Sequence, residues 1–249
     1  MPEPTTCAVI PCFNEDASIA AVVARLRRHV AHVVVVDDGS TDDTVLLAGR
    51  AGAEVSRHER NLGKGAALQT GLSRALERGF EWAVTLDGDG QHAPDDLPVF
   101  MQCAGQTGAL LVIGNRMHNA RAIPWLRRRV NRWMSRQLSR HAGRLLPDTQ
   151  CGFRLVHLET WAALPLNTKH FEIESEMLTA FLAAGHPVEF VPVQVIRRTR
   201  GSRIHPVVDS WRWWKWWLGL KRQKIASAPI RPPARVAPLT AVRSRLPRS

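Results

Sequence analysis

Short apolar runs alternate with helical patterns along the first half of the chain. Runs of four or five apolar residues that end in polar turns predict buried strands, and apolar residues recurring every three or four positions predict helices. The predicted strands are Cys7–Ile10, His32–Val36, Ala53–His58, Trp82–Leu86 and Ala109–Gly114, and the predicted helices are Glu15–Arg28, Thr41–Arg50, Lys64–Glu77 and Pro94–Cys103. This alternation predicts a parallel sheet with covering helices, which is the α/β class.

The order of elements changes in the second half. Trp125–His141 has the pattern of a basic amphipathic helix, residues 147–154 read as a turn, and Phe171–Ala184 predicts another helix. Val188–Ile196 predicts a strand, and Pro192 within it favours a place near the edge of the sheet because proline cannot donate to a ladder.

The net charge of +12 is unevenly distributed along the sequence. Residues 1–196 carry a net charge of −1, whereas residues 197–224 carry nine basic residues against a single acid, and residues 225–249 add five arginines. A near-neutral body with a basic end predicts contact with an anionic surface, either a membrane or a nucleic acid.

The remaining composition favours an intracellular protein without a membrane span. The four cysteines form no C-x-x-C pair and are expected to be reduced and buried, and we expect His92 and His157 to be structural. The N-terminus lacks a signal-peptide pattern, and no window reaches about 18 uncharged apolar residues. The arginine- and proline-rich tail over 225–249 is predicted to be disordered.

Five of the nine tryptophans fall within residues 211–217. On a helix they cover a wide arc, with Arg212 and Lys215 on the opposite side, which predicts an interfacial helix over 204–224 that binds an anionic membrane surface. The alternatives are a helix docked in the core and a stacking platform for single-stranded nucleic acid.

Two carboxylates, Asp87 and Asp89, directly follow the predicted strand Trp82–Leu86. Side chains two residues apart on an extended segment point the same way, and two like charges held this close favour a shared cation such as Mg²⁺ or Mn²⁺. A polar turn is the alternative for this motif in isolation. Ligands on parallel sheets bind beyond the carboxyl ends of the strands, where the Asp37-Asp38 pair is also predicted to lie.

Six motifs together resemble those of one enzyme family. They are Val9–Glu15, Val35–Asp42, Asn61–Ala67, Leu86–Gln91, Ile113–Arg116 and Gly152–Arg154. At these residues the chain resembles family 2 glycosyltransferases of the GT-A fold, and within them the dolichyl- or polyprenyl-phosphate sugar synthases. The resemblance implies a mostly parallel central sheet with helices on both faces, forming a catalytic domain over residues 1–203.

The resemblance also implies a nucleotide-sugar site at the strand ends. That site would comprise Pro11, Phe13, Glu15, Val36, Asp38, Asp87, Gly88, Asp89, Arg116, Ser202 and Arg203. A divalent metal, Mg²⁺ or Mn²⁺, would be held by Asp87, Asp89 and Gln91 beside the donor diphosphate. The alternatives are helix capping for Asp38 and a structural ion pair for Arg116.

For the acceptor, the resemblance implies a phosphate site at Arg128, Arg129 and Asn131, with a solvated helix face as the alternative. The catalytic residues would be Asp89, Arg116 and Glu174. A phosphomonoester is already ionised near neutral pH because its second pKa is about 6. We therefore expect Glu174 to orient the sugar or the arginines rather than to remove a proton.

These observations predict an inverting, metal-dependent hexosyltransferase of the cell envelope. It would move one sugar from a UDP- or GDP-sugar to dolichyl or undecaprenyl phosphate, while bound peripherally to the cytoplasmic membrane face. One alternative is the same fold glycosylating a hydroxyl of a lipid or glycan. Another is a non-catalytic membrane or nucleic-acid binding protein, although no nucleic acid is expected as a partner.

Overall fold

The computed structural model describes residues 5–117, 123–196 and 206–222. These residues form seven strands in one sheet: β1 (Thr6–Cys12), β2 (His32–Asp37), β3 (Glu54–Arg57), β4 (Trp82–Thr85), β5 (Leu111–Asn115), β6 (Arg154–His157) and β7 (Val188–Pro192). The helices are α1 (Ile19–Leu26), α2 (Thr44–Arg50), α3 (Lys64–Glu77), α4 (Leu97–Thr107), α5 (Trp125–Ala142), α6 (Leu158–Ala162), α7 (Ile173–Ala183) and α8 (Pro206–Arg222). The predicted tail and the predicted donor residues Ser202 and Arg203 lie outside these ranges.

The strands are ordered β3-β2-β1-β4-β6-β5-β7. The pairs β1–β2, β1–β4, β2–β3 and β5–β7 are parallel, whereas β6 runs antiparallel to both β4 and β5. The predicted mostly parallel sheet is confirmed, and β7 with Pro192 lies at an edge, as predicted. The carboxyl ends of β1, β2, β4 and β5 therefore meet along one side of the sheet.

Strand β6 was missed, because residues 147–154 were interpreted as a turn with no strand after it. The strand has four residues, begins with the charged Arg154, and passes directly into α6 at Leu158. Nothing in so short a run distinguishes a strand from a loop. Its antiparallel direction has a functional consequence: Arg154 pairs with Thr85 and Ile113, so the start of β6 lies beside the carboxyl ends of β4 and β5.

Helices cover both faces of the sheet. Alternate residues of β1 point to opposite faces. Val9 packs against α3, where a Cβ added at Gly71 would lie 2.3 Å from its Cγ1 atom. Ile10 is buried with Ile19 of α1 in the core on the other face. The apolar strands β1 and β2 are almost completely buried, which explains their clear signal in the sequence.

Helix α8 packs on the body through some of its tryptophans and exposes others. Trp213 and Trp217 are each only 2% exposed and stack with their ring centroids 5.7 Å apart. Trp211, Trp214 and Leu218 are exposed. The tryptophan arc is therefore divided: Trp213 and Trp217 dock in the core, as the alternative of a docked helix predicts, whereas Trp211 and Trp214 remain exposed.

The hydropathy of the helices bears on membrane association. Within the described ranges, none of them is both long enough and apolar enough to cross a bilayer.

Candidate functional site

A cavity of about 970 Å³ lies beyond the carboxyl ends of β1, β2 and β4. Seven of the predicted donor residues line it: Pro11, Phe13, Glu15, Asp38, Asp87, Gly88 and Asp89. Val36 does not, because it is fully buried within β2. Arg116 and Gln91 are also absent from the lining, whereas α5 and α8 supply residues that the sequence did not indicate.

The loops after β1 and β2 are tied together by hydrogen bonds. The backbone N–H of Asn14 donates to Ser40 Oγ at 2.7 Å, and the backbone N–H of Thr41 donates to Asn14 Oδ1 at 2.8 Å. Asn14 adopts a left-handed conformation with φ of 53°, which asparagine tolerates better than most residues. The backbone N–H of Glu15 donates to Thr44 Oγ1 at 2.7 Å. The two strand ends therefore form one connected rim.

Asp38 organises the turn that precedes α3. Its carboxylate accepts hydrogen bonds from the backbone N–H groups of Leu62 and Gly63 at 2.9 and 2.8 Å, and its Oδ1 lies 2.8 Å from His58 Nδ1. The alternative that Asp38 caps a helix is wrong. The side chain that accepts a hydrogen bond from the first turn of α2 is that of Asp42, from the backbone N–H of Thr44. Asp38 nevertheless lines the cavity, so it shapes the site while holding this turn in place.

Lys64, the first residue of α3, bridges the buried Glu174 and the partly exposed Asp87. Its Nζ lies 2.5 Å from Asp87 Oδ1 and 2.5 Å from Glu174 Oε1. Burial alone would lower the pKa of Lys64, but the two carboxylates outweigh it and the pKa is raised. Burial would likewise raise the pKa of Asp87, yet Lys64 and then His92 hold it well below its usual range. Lys64 and Asp87 therefore form a charged pair at neutral pH.

The role of Lys64 was missed by the sequence analysis. A lysine at the N-terminus of a helix interacts unfavourably with the helix dipole, which indicates that it binds an acidic group outside the helix. Glycine at position 152 makes room for this ion cluster. A Cβ there would lie 2.9 Å from Asp87 Oδ1 and 3.0 Å from both Lys64 Nζ and Glu174 Oε1. The antiparallel β6 brings this glycine to the strand ends.

The second carboxylate of the pair, Asp89, has a different environment. The backbone N–H of Gln91 donates to Asp89 Oδ1 at 3.0 Å, and Gln91 Nε2 donates to Asp89 Oδ2 at 2.6 Å. His92 lies behind the pair, 3% exposed, with Nε2 3.6 Å from Asp87 Oδ2 and its ring against Phe153. Asp87 is thus engaged by Lys64 and His92, and Asp89 is oriented by the Gln91 amide.

These residues fit a divalent cation whose remaining ligands come from a bound phosphate. No group of three or more His, Cys, Asp or Glu side chains arranged for a metal occurs among the residues that the structure describes. Asp89 and Gln91 offer carboxylate and amide oxygens, and Mg²⁺ commonly takes one or two carboxylates together with substrate phosphates and water. The predicted ligand Asp87 is held instead by Lys64.

Arg116 forms the ion pair that was the alternative to phosphate contact. Its Nε and Nη2 donate to Asp148 Oδ2 and Oδ1 at 2.8 and 2.9 Å, and the Arg116 side chain is only 7% exposed. Burial opposes both charges, but Asp148 raises the pKa of Arg116 and Arg116 lowers the pKa of Asp148. Because Arg116 does not line the cavity, its predicted direct role at the donor phosphates has no contact to support it.

Arg154 holds the backbone around Glu174. It is 1% exposed and donates to the carbonyl oxygens of Cys151, Glu174 and Thr149 at 2.8, 2.6 and 3.1 Å. Burial lowers its pKa, partly offset by Glu174. The arginine thereby joins the loop before β6 to the first turn of α7, and it fixes where Glu174 meets Lys64.

Helix α5 forms the opposite wall of the cavity. Arg127, Val130, Asn131 and Met134 line it, as expected for positions three or four residues apart on one helical face. Of the predicted acceptor residues, Asn131 lines the cavity, whereas Arg128 and Arg129 do not. The correction follows from helical geometry, since Arg127 lies one turn before Asn131. Burial, and then the nearby Arg116, lower the pKa of Arg127.

Proteins of known function align with most of the length of this chain. A UDP-N-acetylglucosamine–dolichyl-phosphate N-acetylglucosaminyltransferase of Methanococcus voltae is 30% identical over 211 residues, covering 76% of this chain and 84% of that protein. An undecaprenyl-phosphate mannosyltransferase of Micrococcus luteus is 29% identical over 206 residues, covering 78% and 84%. Both names describe sugar transfer to a polyprenyl phosphate.

Solved structures and a family model agree with these relatives. A glucosyl-3-phosphoglycerate synthase of Mycobacterium tuberculosis, solved with Mg²⁺ and UDP, superimposes with a TM-score of 0.69 at 24% identity, covering 87% of this chain and 79% of that one. The fold is therefore GT-A, as predicted. The family model described as glycosyl transferase family 2 matches residues 7–160. The chain belongs to glycosyltransferase family 2, and within it is most like the polyprenyl-phosphate sugar synthases.

Proposed function

We propose that this enzyme transfers one sugar from a UDP- or GDP-sugar to a polyprenyl phosphate, with inversion at the anomeric carbon. The observation that carries the proposal is a single cavity with two unlike walls. One wall is acidic and formed by strand-end loops, and the other carries Arg127 beside apolar side chains of α5. The names of the relatives, which include dolichyl- and undecaprenyl-phosphate transferases, favour the same pair of substrates.

The acidic wall suits a nucleotide sugar. Carboxylates at Glu15 and Asp38 are acceptors for base N–H groups or ribose hydroxyls, and Phe13 offers an aromatic surface. Asp89 would hold a divalent cation together with the donor diphosphate, and Gln91, which does not line the cavity, would orient Asp89 through its two hydrogen bonds. When bound, Mg²⁺ or Mn²⁺ would stabilise the negative charge of the departing nucleoside diphosphate.

The reaction needs no protein base. An oxygen of the acceptor phosphate attacks the anomeric carbon from the face opposite the leaving group, and the bond from that carbon to the diphosphate oxygen breaks. A phosphomonoester is largely ionised at neutral pH, so no proton must be removed. Glu174, which accepts a hydrogen bond from Lys64 at 2.5 Å, is therefore assigned a positioning role. It holds Lys64, which in turn holds Asp87.

The exposed aromatic side chains of α5 and α8 support attachment to a membrane surface. Trp125, Leu126 and Trp133 on α5 and Trp211, Trp214 and Leu218 on α8 are all exposed, and we call these six residues the aromatic surface. The two helices meet there, with the rings of Trp133 and Trp214 stacked at 5.8 Å. Helix α5 also has six arginines and no acidic residue. This combination suits an anionic lipid interface.

We assign the catalytic unit to residues 1–203, a membrane-binding segment that includes α8 to residues 204–224, and a tail to residues 225–249. Placement at the cytoplasmic face of the membrane follows from the substrates, because nucleotide sugars and the phosphate of the lipid would have to meet at that surface.

Purified protein incubated with Mn²⁺ and a panel of UDP- and GDP-sugars, with and without undecaprenyl phosphate, tests this function. We expect a free nucleoside diphosphate and an acid-labile glycolipid only when both substrates are present. Transfer restricted to hydroxyl acceptors would overturn the lipid-phosphate assignment. Loss of activity in EDTA and its recovery with added Mn²⁺ would support the cation site at Asp89.

A further inference from the structure

Helix α8 contributes to the cavity itself as well as to the aromatic surface. Ser210, Arg212 and Trp213 line the cavity opposite the strand ends. We propose, building on the proposed function, that α8 completes the acceptor site. Arg212 contacts the phosphate of the prenyl phosphate, and Trp213 holds Arg212 in place while its ring contacts the first prenyl unit.

The cations that line the cavity favour this assignment. Lys64 lies on the side of the strand ends, at 2.5 Å from both Asp87 and Glu174. Arg127 and Arg212 stand on the two helices that form the other wall. A dianionic phosphomonoester needs positive charge around it, and a guanidinium matches phosphate geometry with paired donors. A second arginine beside Arg127 therefore fits the charge of this acceptor.

Trp213 anchors α8 to the body by a hydrogen bond as well as by its ring. Its Nε1 donates to Ser175 Oγ at 2.9 Å, and the same oxygen accepts from Gln150 Nε2 at 2.8 Å. Gln150 Nε2 also donates to Thr149 Oγ1 at 3.0 Å, and Gln150 lines the cavity. This buried network joins α8 to α7 and to the loop before β6. The network thereby holds the backbone of Arg212, the neighbour of Trp213, beside the cavity.

The wall that carries both arginines is also apolar. Leu126, Val130, Met134 and Trp213 line this part of the cavity. Leu126 is 51% exposed, so it lies both at the cavity and on the aromatic surface. A ligand with a phosphate at one end and a hydrocarbon chain at the other would thus find a continuous apolar path outward. A nucleotide sugar has no chain to use that path, so the wall favours the acceptor over the donor.

Arg212→Gln tests the phosphate contact, with Lys215→Gln as the matched control. The control substitution also removes a cation from α8. Lys215 itself does not line the cavity, and its Nζ lies 3.7 Å from the centroid of the Trp211 ring. With farnesyl phosphate as a short-chain acceptor, we expect Arg212→Gln to raise the acceptor KM about tenfold or more. The donor KM should stay unchanged, and Lys215→Gln should match the wild type in both.

Trp213→Phe tests the positioning role, with the exposed Trp214→Phe as its control. Phenylalanine keeps an aromatic ring but removes the N–H that donates to Ser175 Oγ. We expect a several-fold rise in the acceptor KM with little change in kcat or donor KM, and near-wild-type behaviour of Trp214→Phe. Thermal melting of both variants is the check on folding, and we expect melting temperatures close to that of the wild type.

The outcomes separate this inference from the function on which it rests. If the wild type transfers sugar to farnesyl phosphate and Arg212→Gln has the same acceptor KM, or changes the donor KM instead, the inference is wrong and the function stands. If the wild type transfers nothing to any prenyl phosphate, the function is wrong and the inference with it. Inorganic phosphate as a competitor identifies the anion: equal inhibition of wild type and Arg212→Gln would contradict a contact to phosphate.

Discussion

The two walls of the cavity are built in different ways. The acidic wall consists of loops at the ends of β1, β2 and β4, and backbone hydrogen bonds fix its carboxylates, as at Asp38. The other wall consists of side chains from α5 and α8, and its attachment depends on rings and on side-chain bonds such as Trp213 to Ser175. A rigid loop frame suits a small polar ligand, whereas helical faces offer the length and apolar surface that a lipid needs.

This difference predicts how the two walls respond to substitution. At the acidic wall, a change removes a charge either from the ion network of Lys64, Asp87 and Glu174 or from the proposed cation ligand Asp89. Catalysis depends on both, and stability depends on the ion network. At the helical wall, a change removes contact area or one cation, so affinity for acceptor or membrane depends on it. The largest losses of activity are therefore expected from substitutions at the acidic wall.

Asp89→Asn gives the largest expected effect. Asparagine keeps the shape of the side chain but removes the charge that a cation and diphosphate need, so we expect kcat to fall about 1,000-fold or more. Steady-state assays with the best nucleotide sugar measure this loss, and the melting temperature should stay close to that of the wild type. Asp43→Asn, at the exposed residue directly before α2, is the control and should remain active. Normal activity of Asp89→Asn would remove the proposed cation site.

Lys64→Met is expected to lower both stability and activity. Methionine fills a similar volume but leaves the carboxylates of Asp87 and Glu174 without their shared cation, and breaking a buried ion pair typically costs roughly 3 to 5 kcal/mol. Denaturant unfolding at neutral pH measures the change in free energy of unfolding.

The double variant Lys64→Met with Glu174→Gln separates stability from function. Removing the charge of Glu174 relieves one of the two unpaired carboxylates, so part of the lost stability should return. Activity should not return, because Asp87 still lacks the ammonium that holds it. A double variant as unstable as Lys64→Met alone would contradict the proposed bridge.

The sequence predicted the acidic wall better than the helical one. Strands β1 and β2 are almost fully buried, so the sequence shows clearly both their apolar runs and the acidic residues that follow them. The partner of Lys64 was not predictable, because Glu174 lies 110 residues away and meets it only through the fold. Likewise the arginine run of α5 predicts a basic helix, but which arginine faces the cavity depends on how α5 packs on α7.

The ion pair of Arg116 and Asp148 lies behind both walls and gives a pH test. We expect Asp148→Asn to lower the free energy of unfolding by about 2 to 3 kcal/mol at pH 7. The folded pKa of Asp148 is depressed, so its charge stabilises the native state above the unfolded value of about 3.9 and is lost as the pH falls through the folded pKa. The stability difference between wild type and Asp148→Asn should therefore be constant from pH 5 to 8 and narrow below about pH 4. A constant difference down to pH 2 would contradict this.

The smallest expected effect concerns the aromatic surface. Trp211 and Trp214 are exposed, so replacing both with serine should leave stability nearly unchanged while lowering affinity for vesicles that contain anionic lipid by about tenfold. Flotation with such vesicles measures this affinity, and Leu46→Ser, an exposed apolar residue on α2, is the control. Deleting α8 would be a poorer test, because it would also remove the buried Trp213 and Trp217.

Transfer to farnesyl phosphate, which needs no bilayer, should survive in the double serine variant, since Arg212 and Trp213 remain. Loss of both activities together would mean that the aromatic surface and the acceptor wall cannot be separated.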